Sequence, residues 1–320
     1  MNTEMKESKN LKDSKNNILV GFYLDKIKNE DDLNGCLFGL ANQIHAVDIV
    51  VLDGGLSNDE LEKLTEIAKK PVVTTIETDE DGNPKENKIE ANGSVKLNIV
   101  KTGTSNFSKV FNDLFNIALE REYEGMSVVE VDDALGANWY NIANEYMQEN
   151  EEVGFFLPLV RNWKNGAVMG LMNDACWAEG FSEEAGKFDM NLLLKYNCAN
   201  PLAGVYRVEE LEEYSEEKDG RYYPMKESFK VSNYYEFFLR MIYNDIKVMT
   251  VPRVGYDFRV KDVEEFSHSS SKIPNNLGAI EPDKGGLSND EIHFWMELAK
   301  KEYFFDQDRE KIYEQEPQKA

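Results

Sequence analysis

The chain has 320 residues, 41% of them hydrophobic, and its 60 acidic against 36 basic side chains give a formal net charge of -24. Such a surface repels nucleic acid and anionic membranes at long range, and the basic residues are scattered among acids rather than gathered into a groove. No apolar run approaches the ~18 residues that cross a bilayer. The polar start carries no export signal, and Cys36, Cys176 and Cys198 fit no disulfide or metal spacing, so a reduced, cytoplasmic protein is expected.

In chain order, residues 1–16 are too polar to pack and read as a disordered tail. A buried strand is expected over 17–24, a helix over 33–43 from the spacing of Leu33, Cys36, Leu37 and Leu40, and a second strand over 47–52 that runs into Asp53-Gly-Gly. Ser57 and Glu60 form a capping box that opens a helix over 61–69. A strand over 72–76, a loop or exposed hairpin over 79–93, a strand over 97–100, a helix over 108–120 and a strand over 126–131 continue the alternation. Strands alternating with helices argue for a mostly parallel sheet covered by helices, with ligands at the carboxyl ends of its strands.

The second half is less regular. Strands are expected over 153–160, 166–171 and 246–252, with helices over 138–147, 208–217 and 234–243. Residues 197–204 read as a loop, 261–286 as a polar linker, and 288–303 as a last amphipathic helix that docks through Ile292, Trp295, Met296 and Leu298. The run Gly54-Gly-Leu-Ser-Asn-Asp-Glu60 recurs at 285–291, which two helices sharing one capping box explain without domain duplication.

The most informative segment is Glu130-Val-Asp132-Asp133, at the end of the apolar strand 126–129. Acidic residues two apart at a strand end point the same way, because side chains alternate at period two. Converging carboxylates repel unless a cation neutralises them, and oxygen-only ligands suit Mg²⁺ or Mn²⁺ shared with phosphates. The alternative is a solvated acidic turn.

The order of these motifs resembles the family 2 glycosyltransferases, nucleotide-sugar enzymes of the GT-A fold. The matching segments are Ile18-Leu-Val-Gly21, Leu40-Ala-Asn-Gln43, the strand ending at Asp53, Val110-Phe-Asn112, the acidic strand end, and Pro201-Leu-Ala-Gly-Val-Tyr-Arg207. The ending Glu236-Phe-Phe-Leu-Arg240, the strand 246–252 and Tyr256-Asp-Phe-Arg259 complete the set, which covers roughly 18–272. The resemblance implies a Rossmann-like, mostly parallel central sheet flanked by helices. It implies a nucleotide-binding half over 17–133 and an acceptor half over 134–260, with a linker at 261–286 and a C-terminal helix and tail at 287–320.

For the site, the resemblance implies transfer of a sugar from a nucleotide-diphosphate donor to a saccharide or protein acceptor. Asp53, Asn112 and Asp132 would contact the nucleotide, and Glu130, Asp132, Asp133 and His268 would hold Mn²⁺ or Mg²⁺. Asp53 has a second reading, as the cap of its own Gly-Gly turn. The chain departs from the pattern in three places. One carboxylate of the usual Asp-Asp-Gly-Ser is lost, Phe111 replaces an Arg, and Asn233-Tyr234 replaces the Glu-Asp that carries the general base. Glu227, then Glu236, are the nearest substitutes. A GT-A-fold binding module without turnover, and a nucleotidyltransferase on a similar sheet, are the alternatives.

Overall fold

The computed structural model describes residues 17–78, 84–102, 106–164, 167–172, 187–188, 200–228 and 233–259. The first half runs β1 (Ile18–Leu24), α1 (Glu30–Ala41), β2 (Asp48–Asp53), α2 (Asn58–Lys69), β3 (Val72–Thr78), β4 (Pro84–Glu90), β5 (Leu97–Lys101), α3 (Phe107–Glu120) and β6 (Gly125–Val128). The second half runs β7 (Ala134–Leu135), α4 (Trp139–Glu149), β8 (Val153–Lys164), β9 (Ala167–Met172), β10 (Lys187–Phe188), β11 (Val205–Arg207) and α5 (Val208–Glu213). It closes with β12 (Glu216–Lys218), β13 (Arg221–Tyr223), α6 (Asn233–Tyr243) and β14 (Lys247–Arg259).

The main sheet has the order β10-β14-β8-β11-β6-β1-β2-β5, with β7 and β9 attached to β14 and β8. The pairs β5–β2, β2–β1, β1–β6 and β8–β14 are parallel, whereas β11 is antiparallel to both of its neighbours. The expected α/β architecture, a largely parallel central sheet flanked by helices, is therefore present. β1 is buried along almost its whole length because it lies mid-sheet under helices, which is why it reads as a continuous apolar run rather than an alternating one.

Local chemistry explains the element ends. Ser57 caps α2 and Glu60 returns the bond, as the sequence spacing predicts. α3 starts at Asn106, whose side chain accepts from the Lys109 N–H, and buries Phe107, Val110, Phe111, Leu114, Phe115 and Ala118 against the sheet. Leu114 lies over Gly21 so closely that a Cβ there would sit 2.5 Å from its Cδ1. The aromatic core continues through Phe111, Tyr206, Phe155 and Phe237, with Phe155 and Phe237 stacked at 5.6 Å.

Several boundaries differ from the sequence reading. The helix expected over 208–217 stops at Glu213, because Glu216–Lys218 pairs with Arg221–Tyr223 across Asp219-Gly220. Both turn residues have positive φ (53° and 74°), the primed-turn geometry that an Asp-Gly pair favours. The strand expected over 126–131 ends at Val128, where the chain peels away toward the acidic residues. The late strand runs on to Arg259 because β8 continues to Lys164 beside it. No helix among the described residues is long and apolar enough to cross a membrane. The N-terminal tail, the linker 261–286, His268 and the helix expected over 288–303 lie outside the described residues.

Candidate active site

The carboxyl edge of the parallel strands gathers the polar groups. β1 pairs through Leu24 with Asp53 of β2, and through Gly21 with Val128 of β6. Asp53 and the acidic turn thus flank β1 on one sheet edge, two strand spacings or roughly 10 Å apart. That is a span a nucleotide diphosphate can bridge.

Asp53 is buried, and its Oδ1 accepts from the backbone N–H of Gly55 at 2.8 Å and of Leu56 at 2.7 Å. The carboxylate therefore shapes the turn that follows β2. Gly55, at φ 128°, supplies a backbone conformation that other residues resist. The Tyr23 hydroxyl lies against Gly54, and burial, then Asp25 and Asp53, push its pKa up.

On the other side of β1, Glu130, Asp132 and Asp133 each offer a carboxylate oxygen, and these atoms lie within 4.8 Å of one another. Long-range bonds hold the turn that presents them. The Val129 N–H donates to the Gly21 carbonyl at 3.0 Å, and the Ala203 N–H to the Val128 carbonyl at 2.7 Å. The Tyr256 hydroxyl donates to Asp133 Oδ2 at 2.8 Å and accepts from the Glu130 N–H at 3.1 Å. The Arg259 N–H donates to Asp133 Oδ1 at 2.8 Å, while its guanidinium reaches Asp32 in the first turn of α1 at 2.7 Å.

Asp133 is buried, and burial followed by repulsion from Asp132 pushes its carboxyl well above the usual carboxylate range. The Arg259 N–H, the Tyr256 hydroxyl and the Arg259 guanidinium pull in the opposite direction. All three side chains are hard oxygen donors of the kind Mg²⁺ and Mn²⁺ prefer, and an added cation would relieve the repulsion that raises Asp133. The residues present fit such an ion.

The segment 200–204 borders this turn. Leu202 bridges to Val128, Ala203 holds a left-handed φ of 56°, and its carbonyl accepts from Trp139 Nε1 at 2.6 Å. Asn112 is buried in α3, and its amide serves the protein itself. Oδ1 accepts from the Met225 N–H at 2.8 Å, and Nδ2 donates to the Met225 carbonyl at 2.9 Å and to Glu227 Oε1 at 3.3 Å. Glu227 is exposed, on the segment that precedes α6.

Glu236, by contrast, is wholly buried in α6 and accepts from Arg240 Nε at 2.9 Å, with Lys226 Nζ at 3.8 Å. Asn233 and Tyr234, which stand where the sequence resemblance expects the Glu-Asp pair, are both buried, and Asn233 donates from Nδ2 to Ser108 Oγ at 2.7 Å. The structural roles of Tyr256, Arg259 and Asn116 escaped the sequence reading. For Asn116 the available signal was its place one helical turn from Asn112, and for Tyr256 and Arg259 their place in the matched Tyr-x-x-Arg ending.

A curled, largely parallel sheet flanked by helices is consistent with a Rossmann-like GT-A fold. Among solved structures, residues 1–349 of S. aureus TarS in complex with UDP-GlcNAc match with a TM-score of 0.52 at 14% identity, over 88% of this chain and 65% of that one. Another structure of the same fragment matches with a TM-score of 0.50 at 16% identity, over 76% of this chain and 60% of that one. In these two matches the chain spans less than two thirds of the length of the TarS fragment. Neither a protein-family model nor a curated protein matches it.

Proposed function

We propose that the protein transfers a sugar from a nucleotide-diphosphate donor to a saccharide or protein acceptor, using Mn²⁺ or Mg²⁺. The observation that carries this reading is the trio Glu130, Asp132 and Asp133, converging within 4.8 Å at the carboxyl edge of a GT-A-type sheet. Glu130 and Asp132 would hold the ion with Asp133, whose bonds to Tyr256 and Arg259 keep the turn in shape. When bound, the cation supplies positive charge beside the leaving diphosphate. Asp53 and its turn receive the nucleoside across β1.

Glu227 is the base in this reading. It takes the proton of the acceptor hydroxyl as that oxygen bonds to the anomeric carbon and the glycosyl C–O bond breaks toward the diphosphate. A net charge of -24 favours a neutral or basic acceptor over a polyanion. The UDP-GlcNAc bound to the TarS fragment makes UDP-sugars the donors to try first.

The test is calorimetric titration of UDP and UDP-sugars with Mn²⁺ or with chelator. Binding should depend on the metal, and Asp132→Asn should remove most of it while the fold persists, since one like charge beside Asp133 is lost. Equal affinity in chelator and in Mn²⁺ would end the metal reading. The burial of Asn233 and Tyr234, where the resemblance expects the Glu-Asp that carries the base, favours a second reading, a GT-A binding module without turnover. Tight donor binding without hydrolysis or transfer would select it.

A further inference from the structure

Asn112 and Asn116 share one face of α3, and each exchanges two hydrogen bonds with the backbone of a single facing residue. For Asn112 that residue is Met225; for Asn116 it is Tyr222, whose N–H reaches Oδ1 at 3.0 Å and whose carbonyl accepts from Nδ2 at 2.8 Å. A carboxamide presents a donor and an acceptor side by side, as the edge of a peptide unit does. Two of them one helical turn apart therefore imitate the edge of a β-strand and pin residues three apart on the passing chain.

The same stretch is gripped elsewhere. Arg221 donates to Asp113 of α3 at 2.6 Å, and the other oxygen of Asp113 accepts from Thr102 at 2.7 Å. Arg240, paired with Glu236, donates to the Pro224 carbonyl, and Lys226 lies 3.8 Å from Glu236. Asn112 also donates to Glu227 itself. Burying a carboxamide is costly unless its hydrogen bonds are made, so this face of α3 is stable only with the segment seated on it.

We propose that Asn112 and Asn116 are positioning residues, a surrogate strand edge that fixes residues 221–228 and so aims Glu227 at the acceptor hydroxyl. The catalytic part rests on the reading of Glu227 as base; the clamp itself does not. The test uses the full chain, with Asn112→Ala and Asn116→Ala made separately. Asn116 is only half-buried, so its variant carries the test should Asn112→Ala fail to fold.

Limited trypsin digestion mapped by mass spectrometry reads the clamp directly, because Arg221 and Lys226 lie in the segment. Cleavage after Lys226 should accelerate roughly tenfold, the effect of losing buried hydrogen bonds on a local opening. Cleavage at Lys63 in α2 should keep its rate. In transfer assays kcat should fall by roughly tenfold or more with the donor KM unmoved. An unchanged Lys226 rate, or one that rises only in step with Lys63, overturns the clamp. Glu227→Gln separates the two claims. If it leaves turnover intact while the alanine variants open the segment, the base reading falls and the clamp stands; if it silences transfer while they change neither rate, the clamp falls.

Discussion

Replacing Glu236 separates a structural carboxylate from a catalytic one. Its side chain is fully buried, and Arg240, at 10% exposure, holds it at 2.9 Å. Arg240 also donates to the carbonyls of Tyr214 and Pro224, so the pair ties α6 to the segment leading to Glu227. Removing one partner of a buried ion pair costs about 3–5 kcal/mol, because the other charge stays buried without compensation. Glu236→Gln keeps the shape and one acceptor, which places it near the lower figure. For a domain of this size each kcal/mol moves Tm by about 2–4 °C, so the variant should melt about 6–12 °C below wild type. The double variant Glu236→Gln, Arg240→Met should recover part of that loss, since an apolar side chain has no charge to strand. Thermal unfolding followed by circular dichroism, with donor titration well below Tm, makes the comparison. An unchanged Tm with abolished turnover would refute the structural assignment and place Glu236 at the reacting centre.

Two further outcomes follow from the core. Burial, then the charges of Asp133 and Asp132, push the Cys36 thiol up against the opposing pull of Arg259, so native Cys36 should alkylate at least about a hundredfold more slowly than in the unfolded chain. Peptide mapping after iodoacetamide checks this, and rapid native labelling would show that the packing around Cys36 opens. Gly21→Ala should cost about 1–3 kcal/mol, because the new Cβ lies 2.5 and 2.7 Å from the methyls of a fully buried Leu114. Urea unfolding measures it, and wild-type stability would mean that Leu114 has room to move.

What the chain alone made legible is local. The apolar runs of β1 and β2, the helical spacing of Leu33, Cys36, Leu37 and Leu40, the Ser57–Glu60 capping box and the acidic strand end are all patterns written within a few neighbouring residues. Even the dual reading of Asp53 was visible, since the Gly-Gly that follows it announces a turn, and the structure shows the carboxylate capping that turn. Periodicity reports which face of an element is buried, never against which partner.

Partners required the tertiary structure. That β14 lies beside β8, that Tyr256 and Arg259 close on Asp133 across more than a hundred residues, and that Asn112 meets Met225 rather than solvent are decided by how the helices and strands share one core. Glu227 and Glu236 show the difference most plainly. In the sequence they are two acids nine positions apart; in the fold one is exposed on a pinned segment and the other is buried against Arg240. A carboxylate's chemistry is set by its solvent access and its neighbours, and both are supplied by chain segments that the local sequence does not name.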